Sequence, residues 1–441
     1  MISKYTKSIL LKRNLYAIYN SYILEPIFVN KKEKEKILSN NFDDMSAEEI
    51  KYLKKIGIVV NDELIDKKTI QIVKDSYKKF IENKITIMYL IPTNCCNLSC
   101  KYCFIGNLTS PEIKMKLDTA KRAVDLFAEH LAKINENGEI FFYGAEPLLN
   151  FSLIEYVVTY CKQKKYKIKF SMVSNGLLLN ENIIEFIKYN KISLGISIDG
   201  PKEITNINRI YKNSNIGIYD DLIEKINLLK QHNVNFGLSI TVAPIFLKSQ
   251  DMFIEWLKSL NVKNISYNLL HFTKPNDEWK NYYKEAVKFI YKSNNQLFDL
   301  GFNEDRINRK YIAFFEKKFK FSDCGAVGGN QITICPDGTI EVCHGYWNNE
   351  IHKLPNINSI NCLDDLVVLN DYNCWKNYMP IKKHKCINCP YVYICGGGCA
   401  MQSRDVFGSE KNIDKAFCIY TKIMMKYILL ELYDESIHKN S

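Results

Sequence analysis

Three closely spaced cysteines, Cys96, Cys100 and Cys103, have the residue type and spacing most suited to chemistry in this chain. They follow the apolar run Ile85–Ile91, so their thiolates lie on a loop at the carboxyl end of a predicted strand. Thiolates at short, fixed separations suit an iron–sulfur cube, and three of them leave one of its four irons open to another ligand. Zinc is the alternative, but structural zinc sites are closed by four ligands, and no fourth lies nearby.

Three further motifs follow predicted strands in chain order. Their sequences are YGAEP at 143–147, SNG at 174–176 and SIDGP at 197–201. A glycine such as Gly144 lets the backbone approach a ligand closely, and the carboxylate of Glu146 complements an ammonium group. Downstream, Arg209 is a suitable partner for a carboxylate. The sequence therefore predicts a polar ligand site on loops at successive strand ends.

These four motifs resemble those of the radical SAM superfamily, including the aromatic residue before the last cysteine of the first motif. The SIDGP motif is similar to the S-x-D-G-P of the peptide-modifying branch. The resemblance implies that the open iron binds the amino and carboxylate groups of S-adenosylmethionine (SAM). It implies SAM contacts from Gly144, Ala145, Glu146, Pro147, Ser174, Asn175, Ser197, Asp199 and Arg209. Two positions depart from the family pattern: Ala145 replaces a glycine, and Thr205 stands where a histidine is usual.

Seven cysteines in the carboxyl-terminal quarter form a second set. They are Cys324, Cys343, Cys386, Cys389, Cys395, Cys399 and Cys418. Their spacing, with Gly338 between the first two, resembles the SPASM extension of radical SAM enzymes. The resemblance implies two auxiliary [4Fe–4S] clusters, and so three clusters in the whole chain. It implies that Cys324, Cys343 and Cys399 hold auxiliary cluster I, and that Cys386, Cys389, Cys395 and Cys418 hold auxiliary cluster II.

Auxiliary cluster I lacks a fourth ligand, for which Cys335 is the candidate. Asp337-Gly338 is a two-residue hairpin signal that would pair Ile332 with Cys343. Strand alternation then turns Cys335 to the opposite face, although a bulge would reverse this. We therefore predict an open iron, with Cys335 as a secondary possibility.

Four cysteines remain outside these sets. Cys161 is on the apolar face of a predicted helix and is expected in the core. Cys95, Cys362 and Cys374 have no assigned role, and the sequence leaves open whether they are ligands or bystanders.

A repeating strand–helix pattern positions these motifs. The strand-like runs are Ile85–Ile91, Glu139–Tyr143, Ile168–Val173, Ile192–Ile198, Val234–Val242 and Asn264–Leu270. The amphipathic stretches between them are Leu117–Ile134, Ser152–Lys164, Glu181–Lys188, Tyr219–Gln231 and Lys248–Leu260. Alternation of this kind predicts an α/β fold with a parallel sheet, which right-handed crossovers curl into a partial, TIM-like (β/α)6 barrel. The resemblance implies the same radical SAM barrel, whose chemistry lies at the carboxyl ends of the strands.

Residues 1–84 contain no cysteine and are predicted to form a separate winged-helix-like module. Its predicted elements are strands at 15–19 and 26–29, helices at 31–39 and 46–56, and a strand at 58–60. The second helix begins with a capping box at Ser46 and Glu49. In the family that the chain resembles, such a module captures a leader peptide, which can add a strand to a sheet edge. The alternative is a cap that only protects the barrel.

Five segments follow from these patterns. They are the amino-terminal module at 1–84, the barrel at 85–300, a bridge at 301–322, the SPASM domain at 323–433 and a tail at 434–441. A long helix is predicted around 281–298 and an amphipathic helix at 419–432, whose Met424, Met425 and Leu429 face inward.

Bulk composition narrows the function. The 441 residues have a formal net charge of +11 and 46% hydrophobic residues, which suits a globular protein of two or three domains. No nucleic-acid-binding motif accompanies the positive charge. We expect no membrane span and no signal peptide, because the early apolar stretch is interrupted by Lys12 and Arg13. Clustered cysteines without a secretory signal indicate a cytoplasmic metalloprotein.

The sequence thus predicts a radical SAM/SPASM maturase that modifies a ribosomally made precursor peptide carrying a leader. Hydrogen abstraction by a 5′-deoxyadenosyl radical would form a thioether or another crosslink, with flavodoxin or ferredoxin as reductant. An anaerobic sulfatase-maturating enzyme, which makes formylglycine, is the first alternative. A non-catalytic iron–sulfur electron carrier or a zinc-stabilised adaptor is the second.

Overall fold

The structure, a computed structural model, describes residues 1–82, 84–103, 105, 111–272, 278–347 and 354–438. Its first element group is a three-stranded antiparallel sheet in the order β1-β2-β3, followed by three helices. These elements are β1 (Thr6–Lys12), β2 (Leu15–Asn20), β3 (Ile27–Val29), α1 (Lys31–Leu38), α2 (Ala47–Lys55) and α3 (Glu63–Phe80). The capping box predicted at the start of α2 is present, with the Ser46 hydroxyl accepting from the Glu49 amide.

The amino-terminal module differs from the prediction in three places. Strand β1 was not predicted, and neither was helix α3. The strand predicted at 58–60 is wrong, because Val59 makes only an isolated bridge to Ile2. Ile58 and Val59 instead fill a small core with Ile18 and Leu53, so their apolar character reflects burial and not strand pairing.

Six parallel strands alternate with helices from residue 87 onward, which confirms the predicted α/β fold. The strands are β4 (Ile87–Leu90), β5 (Gly138–Phe142), β6 (Ile168–Ser174), β7 (Ser193–Ser197), β8 (Phe236–Val242) and β9 (Asn264–Leu269). The helices are α4 (Leu117–Ile134), α5 (Phe151–Gln163), α6 (Glu181–Asn190), α7 (Lys202–Asn208), α8 (Tyr219–Gln231) and α9 (Gln250–Leu260). Strands β4 and β9 do not pair with each other, so within the described chain the barrel stays open.

Side-chain alternation explains why the barrel has a polar interior. In β8, Phe236, Leu238, Ile240 and Val242 are buried, whereas the residues between them are only half-buried. The same alternation in β4 leaves Tyr89 half-buried between the buried Met88 and Leu90. Successive side chains in a strand point to opposite faces. One face therefore packs beneath the helices, and the other lines the interior.

Additional strands extend both edges of the central sheet. The elements that follow the barrel are α10 (Glu278–Phe298), β10 (Asn303–Glu304), α11 (Asp305–Phe315), α12 (Gly325–Gly328), β11 (Gln331–Ile334) and β12 (Ile340–Glu341). The resulting nine-stranded sheet has the order β10-β9-β8-β7-β6-β5-β4-β11-β12. Strand β11 pairs in parallel with β4. This pairing brings the start of the second cysteine set beside the strand that carries the first.

The predicted register of the β11–β12 hairpin is wrong. Thr333 pairs with Glu341 and Ile334 with Ile340, instead of Ile332 with Cys343. Gly338 has a φ of +89°, and its amide donates to the Cys335 carbonyl at 2.9 Å. The turn therefore contains one residue more than the Asp-Gly signal indicates, and the alternation argument about Cys335 loses its basis.

The carboxyl-terminal region consists of short helices and one long one. They are α13 (Asp364–Val367), α14 (Asn370–Asn373), α15 (His384–Ile387), α16 (Val392–Cys395), α17 (Ala400–Phe407) and α18 (Lys415–His438). Short 3-10 helices lie in this region at His344–Tyr346, Ile357–Ser359, Cys374–Tyr378 and Pro380–Lys382, and in the barrel at Pro147–Asn150 and Pro244–Lys248. The predicted inward orientation of Met424, Met425 and Leu429 on α18 is confirmed, since all three are fully buried. The predicted boundary at 433/434 falls inside this helix, and residues 439–441 of the predicted tail lie outside the described residues.

The amino-terminal sheet packs against this cysteine-rich region. The Tyr19 hydroxyl donates to the Pro390 carbonyl at 2.6 Å, next to Cys389. The rings of Tyr22 and Tyr393 lie 4.9 Å apart. The module therefore contacts the loop that carries Cys389, one of the seven cysteines with the SPASM-like spacing.

Every helix in the described part of the chain is too short or too polar to span a lipid bilayer.

Candidate active site

The first cysteine loop, residues 95–103, is fixed by a strand-like pairing with residues 208–212. The Ser99 amide donates to the Ile210 carbonyl at 2.9 Å, and the Lys101 amide donates to the Asn208 carbonyl at 3.0 Å. The loop follows β4, so its position at the carboxyl end of the barrel is set by the central sheet. Chain segments far apart in sequence thus hold Cys96, Cys100 and Cys103 in place.

The three thiols of this loop lie within electrostatic range of one another. Burial raises the pKa of Cys96 to about 12, and the nearby Glu146, Cys100 and Cys103 add to this increase. Burial likewise raises the pKa of Cys100 to about 11, with Cys103 contributing. Three thiolates at this site would repel one another, so a cationic cluster is needed to compensate them. The Leu98 amide donates to Cys96 Sγ at 3.4 Å and so favours the thiolate.

The type and number of these donors are compatible with an iron–sulfur cube. Three thiols would leave one of its four irons open, whereas a structural zinc site is closed by four ligands.

Glu146 forms the second part of the site. Its side chain is 1% exposed, and both carboxylate oxygens are hydrogen-bonded. Oε1 accepts from the Ser174 hydroxyl at 2.7 Å and from the Leu148 amide at 3.1 Å. Oε2 accepts from the Asn175 amide at 2.8 Å. Burial raises the pKa of this carboxyl, while the three donors oppose that change.

Hydrogen bonds connect the Glu146 and Asn175 segments to the first cysteine loop. The Glu146 amide donates to the Cys95 carbonyl at 3.0 Å, and the Asn175 side chain donates to Asn97 Oδ1 at 2.7 Å. Gly144 has a φ of +128°, and a Cβ there would lie 2.7 Å from Ile91 Cγ2. A side chain at this position would therefore be strained and would collide with the strand that carries the cysteines. The neighbouring Ala145 and Pro147 lie on the same turn.

A buried ion pair forms the third part. Arg209 Nη2 lies 3.0 Å from Asp199 Oδ1, and Asp199 is fully buried. The Tyr102 hydroxyl donates to Asp199 Oδ2 at 2.5 Å, and Arg209 Nη1 is 4.0 Å from Cys100 Sγ. The sequence pattern indicates an aromatic residue at 102 but does not predict its hydroxyl as a partner of Asp199. Ser197, predicted in the same site, lies half-buried at the end of β7.

Two buried donors in this part of the site have no partner among the described residues. They are Arg209 Nε and the Asn208 side-chain amide. Buried donors are normally hydrogen-bonded. An anionic ligand such as the carboxylate of SAM would satisfy them. Thr205, the departure from the family pattern, instead donates to the Gly200 carbonyl at 2.7 Å within the loop.

Cys324, Cys343 and Cys399 come together at the edge of the barrel. Burial raises the pKa of Cys343 well above its usual value, and Cys324 and Cys399 contribute to the increase. Cys399 directly precedes α17 and is exposed. The Gly345 amide donates to Cys343 Sγ at 3.4 Å, and the Gln402 amide donates to Cys399 Sγ at 3.5 Å.

The other four thiols form a separate group. Burial raises the pKa of Cys386 to about 11, and Cys395, Cys389 and Cys418 contribute in that order. Cys418 is influenced by Cys395 and Cys389 in turn. Cys324, Cys343 and Cys399 thus neighbour one another, and so do the other four thiols, which is the grouping that the family resemblance implies. Their iron ligation stays a prediction.

The remaining cysteines have local surroundings. Cys335 is fully buried in an apolar cluster with Ile91 and Trp347. Cys161 is 1% exposed on α5, which confirms its predicted place in the core. The sulfur contacts of the other three include Cys95 with Asn94, Cys362 with Asp365, and Cys374 with Asp371 and Tyr378.

An aromatic cluster formed by Tyr89, Tyr143 and His344 lies near Cys103 and Cys343. The His344 ring is 4.7 Å from the ring of Tyr89 and 4.6 Å from that of Tyr143. Burial raises the pKa of Tyr143 to about 12, with Cys103 and Cys343 as the next contributors. Burial lowers the pKa of His344 to about 4, and its Nδ1 has no partner among the described residues. The sequence patterns did not indicate this cluster, because its members come from β4, the residue after β5 and the segment after Cys343.

Comparison with known proteins identifies the family. The model of the radical SAM superfamily matches residues 90–260. An uncharacterized protein of Methanocaldococcus jannaschii is 33% identical over 299 residues, which cover 67% of this chain and 92% of that protein. The radical SAM cyclopropyl synthase TigE of Paramaledivibacter caminithermalis is 25% identical over 78% of this chain and 74% of its own length. A cysteine-type anaerobic sulfatase-maturating enzyme of Clostridium perfringens is 26% identical over 69% of this chain and 85% of its own length.

Solved structures share the fold. The anSMEcpe structure with bound AdoMet and the Kp18Cys peptide has a TM-score of 0.67 at 22% identity, covering 80% of this chain and 99% of that chain. Streptococcus suis SuiB bound to the precursor peptide SuiA has a TM-score of 0.55 at 14% identity. The SuiB match covers 95% of this chain and 99% of SuiB. With its cysteine loop, Glu146 turn and open parallel barrel, this chain belongs to the radical SAM superfamily and is a radical SAM enzyme.

Proposed function

We propose that this enzyme is a SPASM-type maturase that modifies a ribosomally made precursor peptide and forms a thioether or another crosslink. Cys96, Cys100 and Cys103 would hold a [4Fe–4S] cluster whose open iron binds SAM. This pair would supply the electron transfer and the 5′-deoxyadenosyl radical that the chemistry needs. The protein contributes binding, orientation and exclusion of water.

The residues around Glu146 suit the SAM end of the reaction. Three donors orient its carboxylate, so it can accept from the SAM ammonium without rearranging. The unpartnered Arg209 Nε and Asn208 amide are available to the SAM carboxylate. Ser174 and Asn175 act mainly through Glu146, because both donate to it.

The structure of the amino-terminal module is the observation that most favours a substrate peptide with a leader. Strand β3 pairs with β2 on one side and with no other described strand. An edge of this kind can receive an extended peptide through backbone hydrogen bonds. On α3, Ile65 and Ile72 lie two turns apart and are 41% and 62% exposed. SuiB, which is solved with a precursor peptide, matches this chain over a length that includes the module.

We propose two further [4Fe–4S] clusters, one on each auxiliary cysteine set. The space beside the aromatic cluster of Tyr89, Tyr143 and His344 is the proposed position of the target residue of the peptide. The three rings would limit water there, and Cys324, Cys343 and Cys399 would hold a cluster that supplies a one-electron acceptor next to it.

Sulfatase maturation is the second candidate function. The similarity to the Clostridium perfringens enzyme spans most of that enzyme's length and supports it. Such an enzyme would convert a cysteine or serine side chain into formylglycine, and it would not need the amino-terminal module. The structural match to anSMEcpe covers 80% of this chain, compared with 95% for SuiB.

Mass analysis after anaerobic incubation distinguishes these two functions. We expect a leader-bearing peptide that contains cysteine, such as one encoded beside this chain, to lose two hydrogens and keep its sulfur. The same peptide without its leader should react much more slowly, because it no longer occupies the β3 edge. Loss of sulfur from a sulfatase-derived peptide, with no change in leader-bearing peptides, would contradict the proposal and support formylglycine formation.

Glu146→Gln should weaken SAM binding about 10- to 100-fold, since a hydrogen bond to a charged group contributes about 1.5–3 kcal/mol. The side-chain amide of glutamine would also turn an NH2 group toward N–H or O–H donors from which the carboxylate now accepts hydrogen bonds. Equilibrium binding of SAM to the reconstituted enzyme measures the effect. Glu155→Gln, at an exposed position of α5, is the matched control and should bind SAM normally. Equal affinities for the two variants would remove Glu146 from the site.

We propose that the enzyme works in the cytoplasm. None of the fifteen cysteines forms a disulfide in the described structure, and cysteines without disulfides in this number suit a reducing compartment.

A further inference from the structure

A lysine-rich concavity lies beside the second auxiliary cysteine set. Its volume is about 1130 Å³, and Lys382, Lys385, Lys411, Lys415 and Cys418 contribute to its wall. The residues that line it include no aspartate or glutamate. The lining of the concavity is therefore positively charged, and it extends to Cys418, a proposed cluster ligand.

The ammonium groups of this surface are exposed and keep their positive charge. Lys382, Lys385, Lys411 and Lys415 are all exposed, and Lys382 and Lys415 also lie over the rings of Tyr77 and Phe407, at 5.2 and 5.4 Å. Within the described parts of the chain, none of them forms an ion pair with a carboxylate. Elsewhere lysines do form such pairs, for example Lys212 with Glu112 at 2.8 Å. Unpaired charges on one face attract an oppositely charged protein and steer its approach.

Lys383 stabilises the floor of the concavity. Its ammonium donates to the Asn412 carbonyl at 2.5 Å and to the Glu410 carbonyl at 3.3 Å. These bonds tie the segment before Cys386 to the loop before Cys418. The lysines of both segments consequently surround the same cysteine set, and Lys385 directly precedes Cys386.

The concavity is separate from the aromatic cluster of Tyr89, Tyr143 and His344. In that cluster, Tyr143 is influenced by Cys103 and Cys343. The concavity instead adjoins Cys418, whose neighbours are Cys395 and Cys389. A protein bound here would lie next to auxiliary cluster II, and the route for the peptide would stay free.

We propose that this concavity is the docking site for an acidic protein that carries one electron on a flavin or an iron–sulfur centre. The inference rests on the proposed function, because it requires a cluster on Cys386, Cys389, Cys395 and Cys418. In the exchange the carrier loses one electron and the cluster gains it. No bond forms or breaks, and no proton moves.

The test is the binding of flavodoxin to the anaerobic holoenzyme, measured by titration at low and at high salt. The triple variant Lys385→Glu, Lys411→Glu and Lys415→Glu should bind about 10- to 100-fold more weakly at low salt, and its affinity should depend less on salt. The control triple variant Lys162→Glu, Lys167→Glu and Lys188→Glu has the same charge change at exposed positions on the barrel. It should bind flavodoxin nearly as well as the unmodified enzyme.

Chemical reduction separates this proposal from the proposed function. With dithionite in place of flavodoxin, the first triple variant should keep its iron content and its rate of SAM cleavage. Equal flavodoxin affinity for the two triple variants would overturn the docking site. Failure of SAM cleavage in the unmodified enzyme with dithionite would instead overturn the proposed function.

Discussion

Replacing Cys96, Cys100 or Cys103 by alanine should abolish formation of 5′-deoxyadenosine. Each variant removes one of the three thiolates that leave a single iron open, and no fourth thiol of the motif is available as a substitute. Iron content should fall from about twelve atoms per chain to about eight, because the auxiliary cysteine sets are separate. Anaerobic reconstitution, iron and sulfide analysis, and chromatography of the products of SAM cleavage measure both effects.

Cys362→Ser is the matched control for these variants. Cys362 is half-buried, and its sulfur donates to Asp365 Oδ1 at 3.4 Å. Iron content and SAM cleavage should both be unchanged. An undiminished yield of 5′-deoxyadenosine in any of the three cluster variants would refute the assignment of that cysteine.

Arg209→Ala should lower the free energy of unfolding by about 3–5 kcal/mol, because it leaves the fully buried carboxylate of Asp199 without a compensating charge. The variant should also lose iron from the first cluster, since Arg209 lies 4.0 Å from Cys100 Sγ and its segment pairs with the first cysteine loop. Anaerobic urea unfolding and iron analysis measure the two effects.

A second substitution distinguishes the ion pair from simple loss of packing. Asp199→Asn combined with Arg209→Ala should recover part of the lost stability, since no buried charge then remains unpaired. Lys212→Ala, three positions along, removes an exposed ion pair with Glu112 and should change stability little. If Arg209→Ala unfolds no more easily than Lys212→Ala, the buried pair does not stabilise this site.

The barrel was predictable because its strands are apolar on the face beneath the helices and its helices are amphipathic. The predicted helices at 117–134 and 219–231 have the bounds of α4 and α8. The six strands agree within three residues at each end. Once the strands are parallel, the motifs that follow them must meet at one end of the sheet.

The amino-terminal module was harder to predict because its signals are weak or ambiguous. Strand β1 buries only Leu11, so it has little apolar alternation. The apolar run at 58–60 is buried, but it pairs through one bridge only. Burial and strand pairing favour the same β-branched residues, and sequence alone does not separate them.

Contacts between distant segments lay beyond sequence reasoning. Nothing in the sequence indicates that β11 pairs in parallel with β4, yet this pairing places Cys343 near the first cysteine loop. The Asp-Gly signal predicted a two-residue turn, whereas the observed register adds a residue. The hydroxyl of Tyr102 and the imidazole of His344 gained their places only through such contacts.

The sequence by itself determined which residues are candidate ligands for iron and SAM, because thiol spacing, glycines and a carboxylate are features of the chain before it folds. It also determined the parallel barrel, since periodic burial is local as well. Only the tertiary structure decided how the cysteine sets face one another, which rings lie near them and which lysines stay unpaired. Those properties depend on strand order, edge pairing and loop register, which are set by contacts between residues far apart in the chain.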